Sequence, residues 1–129
     1  MDYLLFICGD ESTWPDISAA ELAGDPASHE WVAHVEQTGA VKFGAKLRPT
    51  RDAKTVRVRD GQVLVSDGPF AETAEQIGGL DLVEAPDLDH VLDYAARHPG
   101  IDDLTIEIRP LWPDRPITPD TPTGPQPQD

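Results

Sequence analysis

Thr55-Val56-Arg57-Val58-Arg59-Asp60-Gly61-Gln62-Val63-Leu64-Val65 is the stretch on which the fold turns. Two runs rich in β-branched residues flank Asp60-Gly61, a pair that accepts positive φ at both central positions of a type I′ turn. That turn twists in the same sense as the strands it joins, so the segment predicts a β-hairpin. Upstream, Val41-Lys42-Phe43-Gly44-Ala45-Lys46-Leu47-Arg48 alternates apolar with basic or small residues, which predicts a half-buried strand with an exposed Lys/Arg face. Downstream, 77–85 predicts another strand, with Gly78-Gly79 marking a bulge or a close backbone approach.

Further out, the apolar run 2–8 is too short for a helix and predicts a buried strand containing Cys8. Residues 104–111 predict the last strand, with Leu104, Ile106 and Ile108 alternating against Thr105, Glu107 and Arg109. Between strands lie two helices. Ser18-Ala19-Ala20-Glu21 forms a capping box, with Ile17 and Leu22 placed as a hydrophobic staple. Gly24-Asp25-Pro26 then restarts a helix with Asp25 as N-cap, an apolar stripe of Trp31, Val32 and Val35, and a stop at Gly39. Asp87 caps the second helix, whose face is Leu88, Val91, Leu92 and Ala95 and whose end is His98-Pro99-Gly100. The order β-α-β-hairpin-β-α-β is an α+β, ferredoxin-like protomer: an antiparallel sheet with both helices on one face. Its other face needs cover, and a second copy related by twofold symmetry is the default, so a homodimer is expected.

The chain has 129 residues and a formal charge of −14, unevenly spread. Lys42, Lys46, Arg48, Arg51, Lys54, Arg57 and Arg59 lie in a ribbon with one acid, Asp52, so 42–59 is +6 while the remainder of 1–112 is −18. The ribbon, Lys46 and Arg48 foremost, can hold an anionic ligand, but pairing with acidic helices or guarding a sheet edge is the preferred reading. The acidic whole repels phosphate backbones and anionic lipid, so neither direct nucleic-acid binding nor a membrane partner is expected. No apolar run reaches the length of a membrane span, and Asp2 rather than lysines precedes the first one, unlike a signal peptide. One cysteine fits a reducing, cytoplasmic setting. Pro113, Pro116, Pro119, Pro122 and Pro125 recur every three residues, so 113–129 reads as an extended tail beyond a folded domain of 1–112.

Ser66-Asp67-Gly68-Pro69-Phe70-Ala71-Glu72-Thr73-Ala74-Glu75-Gln76-Ile77-Gly78-Gly79-Leu80 closely resembles the signature of the DGPF group within the YCII-related protein family. Thr55 to Gly61 and the start Tyr3-Leu4-Leu5, followed by Gly9-Asp10-Glu11, extend the likeness over about 2–111. The resemblance implies a dimeric α+β barrel. It also implies a small-molecule enzyme using a His–Asp pair, with the acid at the end of strand one and the histidine on the first helix. Asp10 matches the acid; His29, in the first turns, is preferred for the histidine, with His34 as the alternative. The group's association with sigma factors implies the competing role, a non-catalytic ligand-binding or regulatory module.

A carboxylate-held imidazole suits proton abstraction beside a carbonyl, isomerisation or elimination of a small, anionic organic substrate. The same residues have plainer readings, His29 as a helix-surface side chain and Asp10 as a turn former. Asp67, Gly68, Pro69 and Phe70 read as a rigid turn anchored by the phenyl ring. No metal or cofactor is expected: His29 and His34 are wrongly spaced for one helix face, His90 and His98 belong to the second helix, and no Walker loop or dinucleotide fingerprint is present. His98 suits the negative end of that helix.

Overall fold

A computed structural model describes residues 1–14, 21, 24–113 and 120. Ser18 of the capping box, the Ile17 and Leu22 staple, and nearly all of the Pro-rich tail lie outside the described residues. The described chain runs β1 (Asp2–Gly9), α1 (Pro26–Val35), β2 (Ala40–Lys46), β3 (Lys54–Arg59), β4 (Gln62–Asp67), β5 (Gln76–Glu84), α2 (Leu88–Ala96) and β6 (Thr105–Pro110), with short 3-10 turns at Glu11–Thr13 and Thr50–Asp52.

Four strands form one antiparallel sheet in the order β2-β5-β1-β6, and β3-β4 stands apart as a two-stranded arm. This is the expected ferredoxin-like α+β arrangement with an inserted hairpin. The turn chemistry of the arm is as the sequence predicts: Asp60 has φ 51° and Gly61 φ 77°. The glycine pair in β5 also behaves as expected. Ile7 pairs with Gly79 and Cys8 with Ile77, so Gly78 is the extra residue of a bulge.

One face of the sheet meets both helices. Tyr3 and Leu5 of β1 and Val83 of β5 pack with Trp31 and Val35 of α1 and with Val91 and Tyr94 of α2. Burial of a side chain such as Leu5 stabilises by about 1.5–3 kcal/mol. The Trp31 Nε1–H donates to the Tyr94 carbonyl at 2.8 Å, so the indole locks α1 to α2 without leaving its nitrogen unpaired.

Strand β2 departs from the expected alternation. Val41 pairs with Val83 but Phe43 pairs with Leu82, so the register slips at Lys42. The slip puts Val41 on the helix side and Phe43 on the opposite, open face, 55% exposed. Lys42 meanwhile reaches Asp2 at 3.0 Å and Glu84 at 3.4 Å. The open face is thus lined by Leu4, Phe6, Phe43, Leu80 and Leu82. No described helix covers it.

The helix ends also differ in detail. Asp87 caps α2 as predicted, accepting from the His90 N–H at 3.0 Å. Asp25 occupies the N-cap of α1 but makes no side-chain cap bond; it accepts instead from the Ser28 hydroxyl at 3.2 Å. No helix among the described residues is long and apolar enough to cross a membrane.

Candidate functional site

Where β1 ends, Asp10 opens the Glu11–Thr13 turn as its N-cap. Its carboxylate accepts from the Ser12 N–H at 3.0 Å and the Ser12 hydroxyl at 2.6 Å. The two bonds, the hydroxyl's foremost, hold the Asp10 carboxyl below its ordinary range, and it is therefore ionised near neutral pH. Next to it, the Glu11 carboxylate accepts from the Thr50 N–H at 3.1 Å and from the Thr50 hydroxyl, tying the end of β1 to the loop after β2.

The turn after β4 closes the third side. Gly68 has φ 91°, in the left-handed region that favours glycine, and its N–H donates to the Ala53 carbonyl at 2.8 Å. The Thr55 hydroxyl donates to the Gly68 carbonyl at 2.9 Å, and Asp67 pairs with Lys54, which holds its carboxyl below the usual range. Phe70 does not anchor this turn in the core. It is 78% exposed, with the Arg57 guanidinium 5.9 Å from its ring centroid. With Asp10, Glu11, Ser12, Thr50 and Glu72, Pro69 lines an open hollow of about 220 Å³.

Three carboxylates and several hydroxyls thus face this hollow. Among the described residues, neither Lys46 nor Arg48 lines it; Arg48 Nε lies 3.2 Å from Asp52 at the surface. The histidines are elsewhere too. His29 is exposed on α1, and His34 Nε2 lies 2.7 Å from Asp93 Oδ2 on α2. Neither lines the hollow. His98 has its Nδ1 2.7 Å from the Pro99 carbonyl and its Nε2 3.6 Å from Asp81 Oδ2, with the ring edge-on to Trp31 at 4.9 Å between centroids. It reaches the sheet rather than simply facing the helix end. Cys8 is half-buried on the open face. Burial first, then the nearby charges of Glu107 and Glu75, push its thiol up, away from the reactive thiolate. Among the described residues, no three His, Cys, Asp or Glu side chains, those lining the hollow included, stand as a set that could hold a metal ion.

The family model of the YCII-related domain matches residues 1–115, nearly all of the chain that the structure describes. The chain belongs to the YCII-related family. A relative, an uncharacterized protein of Rhizobium meliloti (strain 1021), is 44% identical over 69 residues, which is 52% of this chain and 56% of the relative. The match therefore spans little more than half of that relative's length.

Within this YCII-related chain, Asp10 and Pro69 come from separate parts of the sequence likeness and meet at one hollow. Glu11, Thr50 and Asp93 went unnoticed in the sequence as partners. Glu11 and Thr50 are 39 positions apart, and His34 and Asp93 are 59 apart. No local spacing signals such pairs. The only local hint at Asp93 is Arg97 one turn on, whose Nε lies 2.9 Å from the other carboxylate oxygen.

Proposed function

We propose that this protein is a homodimeric, small-molecule-binding member of the YCII-related family. Its site is the Asp10 hollow, and its dimer seam is the open face of the four-stranded sheet. The observation that carries the site is the meeting of Asp10 with Pro69 in a single hollow. A volume of about 220 Å³ suits a ligand smaller than a drug-sized molecule. An ionised Asp10 beside Glu11 and Glu72 favours an amine or a hydroxyl-rich ligand over the anionic one expected from the basic ribbon. The dimer is supported by Leu4, Phe6, Leu80 and Leu82, which form an apolar sheet face with no helix over it among the described residues. A cytoplasmic setting is supported by the single cysteine.

Acid–base catalysis is the second reading. It is favoured by the exposed, ionised state of Asp10, the form that holds an imidazolium. In this reading His29, exposed on α1, is the base that would take a proton from carbon beside a carbonyl. Solvent deuterium incorporation into pyruvate separates the readings. Incorporation that is lost in both His29→Ala and Asp10→Asn establishes catalysis. Ligand binding that needs Asp10 but not His29, with no incorporation, establishes a binding protein.

A further inference from the structure

His98 is the most covered of the four histidines, its side chain only 16% exposed. It stands two residues beyond α2, at the start of the turn that leads into β6, and three segments close on it. From α1 comes Trp31, whose ring meets the imidazole edge-on at 4.9 Å between centroids. From β5 comes Asp81, itself 17% exposed, with Oδ2 3.6 Å from Nε2. From the turn comes the Pro99 carbonyl, 2.7 Å from Nδ1. The turn beyond is held by two backbone bonds, Ile101 N–H to the His98 carbonyl at 3.1 Å and Asp103 N–H to the Gly100 carbonyl at 2.9 Å.

A carbonyl only accepts, so Nδ1 carries a proton. In the neutral ring Nε2 is then a lone pair facing a carboxylate, and two acceptors meet under cover with no proton between them. A ring protonated on both nitrogens satisfies Pro99 and Asp81 together. Gly44, opposite Asp81 on β2, has no side chain to donate in its place. Of the other charged groups around the ring, Lys46 lies on the same sheet face but two residues beyond Gly44, Arg97 is bound to Asp93, and Asp102 and Asp103 of the turn are exposed; α1 presents the uncharged Trp31. We infer that His98 is a pH-sensitive latch: with its second proton it bridges the Pro99 carbonyl and Asp81 and pins the 98–104 turn to β5, and without that proton it lets the turn go. The contribution is therefore present at about pH 5 and lost by about pH 8, across the range in which histidine changes charge. Leu104, at the end of the turn, lies against Gly9, so release loosens the end of β1 whether or not the Asp10 hollow holds a ligand.

The test is amide exchange of the full chain at about pH 5 and about pH 8, corrected for the intrinsic pH dependence of exchange, together with long-range proton–nitrogen NMR of the imidazoles. His98 should carry protons on both ring nitrogens at the lower pH and on Nδ1 alone at the higher. Across that step the protection of the Ile101 and Asp103 amides should fall by about tenfold. Asp81→Asn offers the neutral ring a carboxamide N–H, so the turn should stay protected at both pH values. Asp81→Ala removes the acceptor, so protection should be low at both. His34→Asn, at the other ion pair between helix residues, should leave the step in place. A wild-type turn equally protected at both pH values, a step that survives Asp81→Ala, or a step that disappears in His34→Asn overturns the latch.

Discussion

His34 Nε2 lies 2.7 Å from Asp93 Oδ2, joining α1 to α2 above the core that Trp31 and Tyr94 form beneath them. The His34 contact, then that of Arg97, holds the Asp93 carboxyl below its ordinary value. A depressed folded-state value stabilises the fold above the unfolded carboxyl's range, and that contribution disappears as pH falls through the folded value. Asp93→Asn should therefore lower Tm at pH 7, by about 4 °C or less for so exposed a pair, and the gap to wild type should close below about pH 4. Melting curves across pH check this; a gap that persists unchanged in acid contradicts it.

The Asp10 carboxyl is held down chiefly by the Ser12 hydroxyl. Ser12→Ala removes the larger of its two causes and should move the Asp10 titration upward, toward an ordinary aspartate. Carbon-detected NMR of the side-chain carboxyl reads the shift directly. A titration that stays in place would mean that the Ser12 N–H alone sets the charge of the site.

Trp14 lies across Gly9 and Gly78, so close that a Cβ on Gly78 would fall 2.3 Å from Trp14 Cζ3 and one on Gly9 would fall 2.9 Å from Cζ2. Gly78→Ala must displace the ring and should cost about 1–3 kcal/mol in urea unfolding. Because Ser12 and Gln76 of the hollow lie two residues from Trp14 and Gly78, the tryptophan emission should also shift. Unchanged stability and emission would show that the ring moves aside freely.

Trp31→Phe keeps an aromatic ring in the core but leaves the Tyr94 carbonyl without the indole donor, a buried bond of 2.8 Å. A loss of about 1–3 kcal/mol is expected from equilibrium unfolding. A neutral substitution would indicate that the volume of the ring, not its N–H, links α1 to α2.

Local chemistry made the fold legible. Asp60-Gly61 placed the arm, Gly78-Gly79 the bulge, and Asp87 the cap of α2, each because a turn, a bulge or a helix end demands a particular residue within a few positions. The slip at Lys42 was not legible, because Val41-Lys42-Phe43 reads as clean alternation, and only pairing with β5 shows Val41 and Phe43 on opposite faces. The candidate site was legible in half. Asp10 and Pro69, with Glu11 and Glu72 beside them, lie in the quoted motifs, whereas their meeting in one hollow and the Thr50 contact to Glu11 depend on the fold bringing distant segments together. The basic ribbon pointed to an anionic ligand by composition alone; the chain path sends Arg48 to Asp52 instead.

The central claim, that the Asp10 hollow is the ligand site and prefers amine or hydroxyl groups, is tested most directly by amide NMR of the full chain. One mixture contains small primary amines and polyols, and the other contains small carboxylates. The account predicts that the first mixture shifts Asp10, Ser12, Thr50 and Gln76 together, and that Asp10→Asn abolishes those shifts. Shifts at these residues from carboxylates alone, or from the first mixture only elsewhere in the protein, would contradict it.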